Sequence, residues 1–323
     1  MKLVELGSTG IRVSSIVLGT WQFGSATWGY GKGYSERDCM EAVWASVEAG
    51  VNLIDTAEVY GLGVSEQIIG KALKEVRDEV LIATKVAGHH LTYDGVLKAC
   101  ERSLNRLGLK MIDLYQVHFP NPLIPIGQTM KAMEKLVKDG KIRHIGVSNF
   151  SLGRLIKARE ALKSEDVVSN QVRYNLLQRQ IEKELLPYCV REKITILAYS
   201  PLAQGVLTGK YSADNLPKDL VRTVNPLVSS SYLRRAKPLL DELRRIAAEV
   251  NATMAQVALA WLVSKPYVAA IAGAKNRQQA LENAAAGKIT LTDKQIEYIS
   301  SLSRQLRPNF LDGVRSFVRV VAR

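Results

Sequence analysis

Apolar residues along the chain follow two patterns that alternate with each other. Eight short runs rich in Val, Ile and Leu show little alternation, which is typical of strands buried on both faces. The segments between them have apolar residues three or four positions apart, which predicts amphipathic helices. The runs cover residues 15–18, 51–54, 80–83, 112–117, 141–147, 167–169, 194–198 and 267–271. Eight strand–helix units predict an α/β fold, a (β/α)₈ TIM barrel.

Helix start and stop residues support this division. Ser35 with Asp38 three positions later predicts a capped helix start, and Gly50 predicts its end. Gly140 marks another helix end before the fifth strand. An open doubly wound sheet is the alternative, but it normally carries a Gly-rich turn after its first strand, and Gly19-Thr20-Trp21-Gln22 is not one.

Additional segments surround the repeating units. Residues 2–13 alternate around a Gly-containing turn and predict an N-terminal β-hairpin. Residues 203–232 are long and polar, which predicts an extended functional loop after the seventh strand. Two helices, at 233–250 and 254–263, are predicted before the eighth strand, and an extra C-terminal helix at 292–303. The basic tail, 309–323, is expected to fold over the barrel rather than lie on a membrane. No low-complexity linker occurs, so residues 1–323 are predicted to form one domain.

Composition narrows the class of protein. The net charge is +13, but Lys and Arg are spread along the chain without a nucleic-acid-binding motif, so we expect no nucleic-acid partner. No apolar stretch is long enough to span a membrane, and the N-terminus lacks a signal-peptide core. Cys39, Cys100 and Cys189 are far apart, which predicts reduced, buried thiols and a cytoplasmic location. The sequence carries no signal for an oligomeric state.

Polar residues follow the predicted strands at the end where barrel enzymes carry their chemistry. Asp55 ends the second strand and Tyr60 comes five residues later, while Lys85 and His118 follow the third and fourth strands. Further polar or small residues follow the other strands: Gly19, Thr20, Trp21, Ser148, Asn149, Asn170, Gln171, Tyr199, Ser200, Gly273, Ala274 and Lys275. The barrel would bring them together around one mouth.

An acid, a phenol, an ammonium and an imidazole at one mouth suggest general acid catalysis. A phenol has a pKa near ~10, and a neighbouring ammonium lowers it by stabilising phenolate. Asp55 would hold Lys85, Lys85 would lower the pKa of Tyr60, and His118 would orient a carbonyl oxygen by hydrogen bonding. Without a metal-ligand cluster, no metal is expected, and a cofactor would carry the difficult step.

The sequence closely resembles the aldo-keto reductase family over nearly its whole length. The segments that carry the resemblance are Leu18-Gly19-Thr20-Trp21, Asp55-Thr56-Ala57-Glu58-Val59-Tyr60-Gly61, Ala83-Thr84-Lys85, Asp113-Leu114-Tyr115-Gln116-Val117-His118, Gly140-Lys141-Ile142-Arg143-His144-Ile145-Gly146-Val147-Ser148-Asn149-Phe150, Asn170-Gln171 with Tyr174-Asn175, and Tyr199-Ser200-Pro201-Leu202. The combination is specific, although each segment alone would be weak. The resemblance implies hydride transfer from a nicotinamide cofactor to an aldehyde or ketone.

The family's catalytic tetrad maps onto Asp55, Tyr60, Lys85 and His118. The resemblance implies that Ser148 and Asn149 hold the carboxamide of the nicotinamide, that Gln171 is a further contact of the nicotinamide, and that Tyr199 stacks on its ring. The loop 202–210 would cover the pyrophosphate, and residues 273–283 would bind the adenosine phosphate. The implied cofactor site is made of Gly19, Thr20, Trp21, Asp55, Ser148, Asn149, Gln171, Tyr199, Ser200, Leu202, Gly205, Leu207, Lys210, Gly273, Ala274, Lys275, Gln279 and Asn283.

The adenosine end departs from many relatives, which carry Lys-Ser after the last strand and an Arg further along. Here Gly273-Ala274 and Gln279 stand instead, so the 2′-phosphate of NADP would meet Lys275, with Arg277 as a second candidate. A Lys offers a point charge rather than a bidentate fork. NADP(H) is therefore the expected cofactor, with NAD as a possible substitute.

The expected partner is a small carbonyl substrate, whose identity the sequence leaves open. Trp21 and Trp28 either form an aromatic wall for that substrate or pack against the hairpin, while His89 and His90 are expected to be solvated. The alternative function is a cofactor-binding regulatory subunit with slow turnover, because some relatives look like channel subunits. The lack of a long N-terminal extension favours the enzyme.

Overall fold

Eight parallel strands close into a barrel in the computed structural model, which describes residues 1–217, 220–223, 225–308 and 312. Around the barrel the strand order is β10-β3-β4-β5-β6-β7-β8-β9. These strands are β3 (Ile16–Gly19), β4 (Leu53–Asp55), β5 (Leu81–Val86), β6 (Ile112–Val117), β7 (Ile142–Ser148), β8 (Val167–Arg173), β9 (Thr195–Tyr199) and β10 (Val268–Gly273). The predicted (β/α)₈ barrel is confirmed, and each strand overlaps one of the predicted apolar runs.

Helices follow the strands and cover the outside of the barrel. They are α1 (Glu36–Glu48), α2 (Val64–Val76), α3 (Tyr93–Leu107), α4 (Ile126–Lys138), α5 (Leu152–Glu160), α6 (Leu185–Arg191), α7 (Leu220–Thr223), α8 (Ser230–Glu249), α9 (Met254–Leu262), α10 (Arg277–Ala285) and α11 (Asp293–Arg304). The predicted start of α1 is confirmed: the Ser35 side chain accepts a hydrogen bond from the Asp38 amide, and the Asp38 carboxylate accepts one from the Ser35 amide. Each of these bonds satisfies an amide that a helix start leaves unpaired.

A hairpin closes the N-terminal end of the barrel. Its strands are β1 (Leu3–Glu5) and β2 (Arg12–Ser14), as the alternation predicts. Leu6 and Val13 of the hairpin are buried in one cluster with inward-facing residues of the barrel strands. The amide of Gly7 donates to Thr195 Oγ1 over 2.7 Å, and Gly7 has a left-handed φ of +60°. A Cβ at Gly7 would come within 2.7 Å of Val168 Cβ, so glycine permits this close approach.

The long segment after β9 differs from its prediction as an extended loop. It contains short helical turns at residues 203–208, 220–223 and 226–228, and α8 begins at Ser230 rather than at 233. The earlier start has a local cause, because the Ser229 side chain caps α8 by accepting from the Tyr232 amide.

The prediction for the tail, 309–323, lies outside the described residues except for Asp312. The buried Asp312 carboxylate accepts from Ser229 Oγ over 3.0 Å and from Arg235 Nη2 over 2.8 Å.

The three cysteines are buried and form no disulfide bonds. Cys39, Cys100 and Cys189 are unpaired, buried and located in α1, α3 and α6, as predicted. Burial raises the pKa of each thiol to about 12, so all three stay protonated and unreactive near neutral pH. Among the residues that the structure describes, no helix has the length and apolar character that a membrane span requires.

Candidate active site

A cleft of about 820 Å³ opens at the C-terminal ends of the barrel strands. Most residues that the sequence places in a catalytic or cofactor site line it, and they come from almost every strand end. They are Gly19, Thr20, Trp21, Asp55, Tyr60, His118, Ser148, Asn149, Gln171, Tyr199, Ser200, Leu202, Gly205, Lys210, Gly273, Lys275, Gln279 and Asn283. Lys85, Leu207 and Ala274 are fully buried behind the wall. Of these three, Lys85 reaches the cleft residues through its ammonium group.

The Lys85 ammonium is the centre of the deepest part of the site. Its Nζ donates to Asp55 Oδ1 over 2.6 Å, to the Thr56 carbonyl over 2.7 Å and to the Tyr60 hydroxyl over 3.3 Å. Its side chain is fully buried and that of Asp55 is 3% exposed, so this ion pair is shielded from water. The phenol therefore has a fixed cation beside its oxygen.

Two glutamines hold the other oxygen of Asp55. Gln171 Nε2 donates to Asp55 Oδ2 over 2.7 Å, and Gln116 Nε2 donates to the same oxygen over 3.1 Å. A buried carboxylate is costly unless its lone pairs are satisfied, and here both oxygens have donors. Gln116 is absent from the site predicted above, although it occupies an inward-facing position of β6 two residues before His118.

The pKa of Tyr60 differs from the value expected from Lys85 alone. Burial raises the pKa of the Tyr60 phenol above its usual range, and the charge of Lys85 offsets only part of this rise. Lys85 therefore lowers the pKa of Tyr60 as predicted, but desolvation of the phenolate outweighs this contribution and the net shift is upward. Burial acts to lower the pKa of Lys85, but Asp55 and Tyr60 raise it by more. The geometry thus favours a neutral phenol beside a charged ammonium.

His118 completes the group of four at the end of β6. Its ring packs edge-on against the Tyr60 ring, with 5.6 Å between the ring centroids, and stacks on Phe119. Burial, with the charge of Lys85, lowers the pKa of His118 to about 3. The imidazole is therefore neutral near pH 7, and a neutral imidazole has one N–H that can donate a hydrogen bond.

The turn that carries Tyr60 is tied to β5 by a second buried carboxylate. Glu58 Oε1 accepts from the Ala87 amide over 2.7 Å and contacts His90 Nδ1 at 2.9 Å, while Arg102 lies 3.4 Å from Oε2. Ala87 is two residues beyond Lys85, so Glu58 fixes the distance between the segments that carry the phenol and the ammonium. The expectation of a solvated His90 was incomplete, because its side chain is 35% exposed but bonded to this carboxylate.

The backbone after Tyr60 is left-handed at three consecutive residues, Gly61, Leu62 and Gly63. A Cβ at Gly61 would come within 2.9 Å of the Gly24 backbone, so this turn can pack against the loop after β3 only with glycine there. Leu62, a non-glycine residue with φ of +56°, is strained in this conformation. Such backbone strain persists where surrounding contacts hold the chain, and it is often found at functional sites.

Amide and hydroxyl groups form the adjoining wall of the cleft. Asn149, with a left-handed φ of +63°, turns the chain back after β7, and its Nδ2 donates to the His118 carbonyl and to Ser148 Oγ, both over 3.0 Å. The Tyr199 hydroxyl donates to Asn149 Oδ1 over 3.0 Å. Together with Gln171, these groups provide hydrogen-bond donors and acceptors for a primary amide, and the Tyr199 ring lies beside them. A nicotinamide needs both, because its carboxamide forms hydrogen bonds and its ring stacks on an aromatic side chain.

Cationic groups lie along the other side of the cleft. The Arg222 guanidinium is 4.9 Å from the centroid of the Trp28 ring, and Lys275 Nζ is 5.7 Å from the same centroid. Trp21 packs edge-on against Trp28, so both tryptophans form part of the cleft wall. Lys210 also lines the cleft, next to Gly205. Cations near strand and loop ends provide charges suited to phosphate groups.

The second candidate for the phosphate, Arg277, is not on the cleft. Its Nη2 donates to Glu48 Oε2 over 2.7 Å on the outer surface. The cleft instead includes residues that the sequence prediction did not name as site residues, namely Gln22, Val59, Phe119, Arg173, Pro201, Gln204, Thr208, Arg222, Ala255, Ile271 and Glu282. Two of these residues could have been found from the sequence. Phe119 directly follows His118, and Arg173 is two positions after Gln171 on the same strand. Arg222 falls in the long segment after β9, where no apolar repeat indicates the direction of a side chain.

Comparisons with known proteins agree with this arrangement. The sequence profile of the aldo/keto reductase family matches residues 15–304. An oxidoreductase of Mycobacterium tuberculosis is 46% identical, covering 95% of this chain and 94% of the relative. A putative voltage-gated potassium channel subunit beta of Schizosaccharomyces pombe is 33% identical, covering 93% and 90%.

Solved structures extend the similarity to three dimensions. The glycerol dehydrogenase of Gluconobacter oxydans superposes with a TM-score of 0.86 at 31% identity, covering 95% of this chain and 96% of that one. An aldo-keto reductase of Klebsiella pneumoniae, solved in complex with NADPH, superposes with a TM-score of 0.75 at 32% identity and covers 96% of each chain.

Proposed function

Because the chain belongs to the aldo/keto reductase family, we propose that it is an NADP(H)-dependent reductase that converts aldehydes or ketones to alcohols. The observation that carries the proposal is the Tyr60 hydroxyl at 3.3 Å from a buried ammonium, which is itself 2.6 Å from Asp55. The proposal takes the whole chain, 1–323, as one domain that works in the cytoplasm, where its three free thiols would stay reduced.

The residues of the cleft fit a nicotinamide cofactor. Ser148, Asn149 and Gln171 would bind the carboxamide, and Tyr199 would stack on the ring. Lys210, Arg222 and Lys275 would bind the phosphates, since these cations line the cleft in the segments after β9 and β10. When bound, such a cofactor supplies the hydride that a carbonyl carbon accepts.

The chain's own residues would supply the proton and the orientation. Tyr60, neutral because burial raises its pKa, would donate its hydroxyl proton to the carbonyl oxygen. Lys85 would stabilise the phenolate that develops, and Asp55 would hold Lys85 in place. His118, neutral because its pKa is lowered to about 3, would donate a hydrogen bond to the same carbonyl oxygen and fix its position.

Steady turnover tests the proposed function. We expect the purified protein to oxidise NADPH continuously in the presence of simple aldehydes, with one alcohol formed for each NADPH consumed, measured by absorbance at the nicotinamide band. A control without aldehyde should show no oxidation. The channel-subunit relative favours the alternative of a regulatory subunit. Stoichiometric oxidation of bound NADPH followed by an arrest would support that alternative and contradict the reductase.

Cofactor choice depends on Lys275. This Lys lines the cleft, and its Nζ donates to the Trp28 carbonyl over 2.5 Å. We expect Lys275→Ala to weaken NADPH binding by roughly 1–3 kcal/mol, the scale of a hydrogen bond to a charged group, while NADH binding hardly changes. Fluorescence titration of both cofactors measures the two affinities. Arg277→Ala is the matched control, because Arg277 pairs with Glu48 away from the cleft. Equal losses for NADPH and NADH would place Lys275 away from the 2′-phosphate.

A further inference from the structure

Arg173 stands at the mouth of the cleft, at the last position of β8. Side chains alternate along a strand, so Arg173 points to the same side as Gln171, and two residues advance the strand by about 7 Å. Gln171 is in the layer that contacts Asp55, with 2.7 Å between Gln171 Nε2 and Asp55 Oδ2. Arg173 therefore belongs to the next layer towards solvent, and it is exposed.

The order of strands around the barrel places Arg173 opposite the strand that leads to Tyr60, the proposed proton donor. In the closed ring of eight strands, β8 is four strands from β4 in either direction. The contact between Gln171 and Asp55 spans the barrel at that level. One layer higher, the segment after β4 carries Tyr60, so Arg173 faces the Tyr60 side across the mouth. Its guanidinium lies 5.6 Å from the centroid of the Tyr199 ring.

The guanidinium of Arg173 has no ion-pair partner among the described residues. In the part of the chain that the structure describes, no carboxylate is within 4.0 Å of its guanidinium, whereas Arg106, Arg159 and Arg179 each pair with a glutamate or aspartate. The other cations of the cleft, Lys210, Arg222 and Lys275, are in the segments after β9 and β10, and the proposed function assigns them to the cofactor phosphates. Arg173 instead ends β8 and packs on Tyr199, which is proposed to stack on the nicotinamide ring, so its guanidinium is at the nicotinamide end of the cleft.

Apolar surface surrounds the same mouth. Trp21, Val59 and Phe119 line the cleft and are 47%, 38% and 51% exposed. A ligand with an apolar body could cover these side chains while one end met Tyr60 and His118 and the other met a cation. A planar guanidinium binds a carboxylate through two parallel hydrogen bonds, and at the nicotinamide end of the cleft the substrate is the ligand that can supply one.

We propose that the substrate is an oxo acid, an aldehyde or ketone whose carboxylate is bound by Arg173 at the far side of an apolar spacer. This inference rests on the proposed reductase function and specifies the substrate class of the same site. Arg173 is a specificity-determining residue in this account. The carbonyl group is oriented by Tyr60 and His118, and the carboxylate does not change in the reaction.

Two aldehydes of similar shape, one charged and one neutral, test the inference. 4-Carboxybenzaldehyde carries the carboxylate, and its methyl ester has nearly the same shape without the charge. We expect Arg173→Gln to lower the ratio of kcat/KM for the acid to kcat/KM for the ester by about tenfold or more, the scale of a lost charge-assisted hydrogen bond. The ester alone should be affected less than threefold. Because the ratio for the variant is compared with the ratio for the wild type, the difference in intrinsic reactivity between the two aldehydes cancels.

Two further variants separate a specific contact from other effects. Arg173→Lys keeps the charge but cannot form two parallel hydrogen bonds to a carboxylate. Its ratio of kcat/KM values should lie between those of Arg173→Gln and the wild type. Arg154→Gln removes an exposed charge on α5, outside the cleft, and should leave the ratio unchanged. If Arg173 only packs on Tyr199, Arg173→Gln will lower both kcat/KM values equally, and an unchanged ratio overturns the inference.

A binding measurement keeps the inference testable apart from turnover. If the wild type reduces neither these two aldehydes nor the simple aldehydes of the first test, the proposed function fails, and the carboxylate site is judged by calorimetry. The titrant is 4-(hydroxymethyl)benzoate, added to the protein with NADP⁺ present. A Kd at least tenfold weaker in Arg173→Gln than in the wild type supports the site. Equal Kd values in the two proteins overturn it.

Discussion

Replacing Tyr60 by Phe is expected to reduce turnover by two to four orders of magnitude or more, while NADPH binds almost as before. The substitution keeps the ring that packs against His118 and removes only the hydroxyl that Lys85 contacts at 3.3 Å. If that hydroxyl donates the proton, no other group of the site has the same position relative to the carbonyl oxygen. Steady-state kcat at saturating NADPH and aldehyde, with the Kd of NADPH from fluorescence titration, measures the effect.

Tyr199→Phe provides the matched control. It removes a hydroxyl from the same cleft, but one that donates to Asn149 and is proposed to act in cofactor binding. We expect this variant to weaken cofactor binding and to lose far less than tenfold in kcat. If Tyr60→Phe retained more than about a tenth of the wild-type kcat, Tyr60 would not be the proton donor.

Removing the charge of Lys85 is expected to shift the pH dependence of the reaction. Burial already raises the pKa of Tyr60, and the ammonium offsets part of that rise. Lys85→Met keeps most of the side-chain length but removes the offset, so the pKa of Tyr60 should rise further. Oxidation of an alcohol needs Tyr60 as phenolate, and its rate therefore increases with pH until the phenol is ionised. The ascending limb of kcat/KM for alcohol oxidation should move to higher pH in the variant.

The reduction direction gives a second readout of the same substitution. Tyr60 is neutral near pH 7 in both proteins, so the pH profile of reduction should keep its shape there while kcat falls, because developing phenolate loses its partner. An oxidation limb that stays in place with only a lower plateau would mean that Lys85 positions the site without altering the pKa of Tyr60.

Folding needs its own control, because Lys85→Met leaves the buried Asp55 carboxylate without its cation. Breaking a buried ion pair costs about 3–5 kcal/mol of stability. The double variant Lys85→Met/Asp55→Asn removes both charges and avoids that cost, while the amide introduced in place of the carboxylate can still hydrogen-bond with its neighbours. We expect the oxidation limb of the double variant to move in the same direction but by less, because the charge of Asp55 also raises the pKa of Tyr60. Thermal unfolding of both variants verifies that each is folded at the assay temperature.

The barrel could be predicted because its strands are buried on both faces and its helices are amphipathic, so each element has a distinct apolar pattern. Asp55, Lys85 and His118 could be placed for a related reason. Each follows the end of an apolar run, and in a closed barrel all strand ends of one direction meet at one mouth.

Other features depend on quantities that spacing does not contain. The net direction of the Tyr60 pKa shift is a balance between burial and the Lys85 charge, and the depth of burial is known only once the barrel closes. Arg277 and Arg222 show the limit for side chains in loops. Arg277 is in the segment predicted to bind the adenosine phosphate, yet it pairs with Glu48 outside the cleft. Arg222 is in the long segment after β9 and was not predicted as a site residue, yet it lies on the Trp28 ring in the cleft.

The hairpin that closes the barrel has a consequence for the sequence of binding events. In the part of the chain that the structure describes, Leu6 and Val13 close the N-terminal end, and the cleft opens at the other end. The groups proposed to bind nicotinamide are next to Asp55, deeper than the aromatic rim where the carbonyl compound would bind. In a one-ended cleft, the ligand that occupies the deeper position must enter first and leave last. For the proposed reductase this means an ordered kinetic mechanism, in which the cofactor binds before the aldehyde and the alcohol departs before the oxidised cofactor.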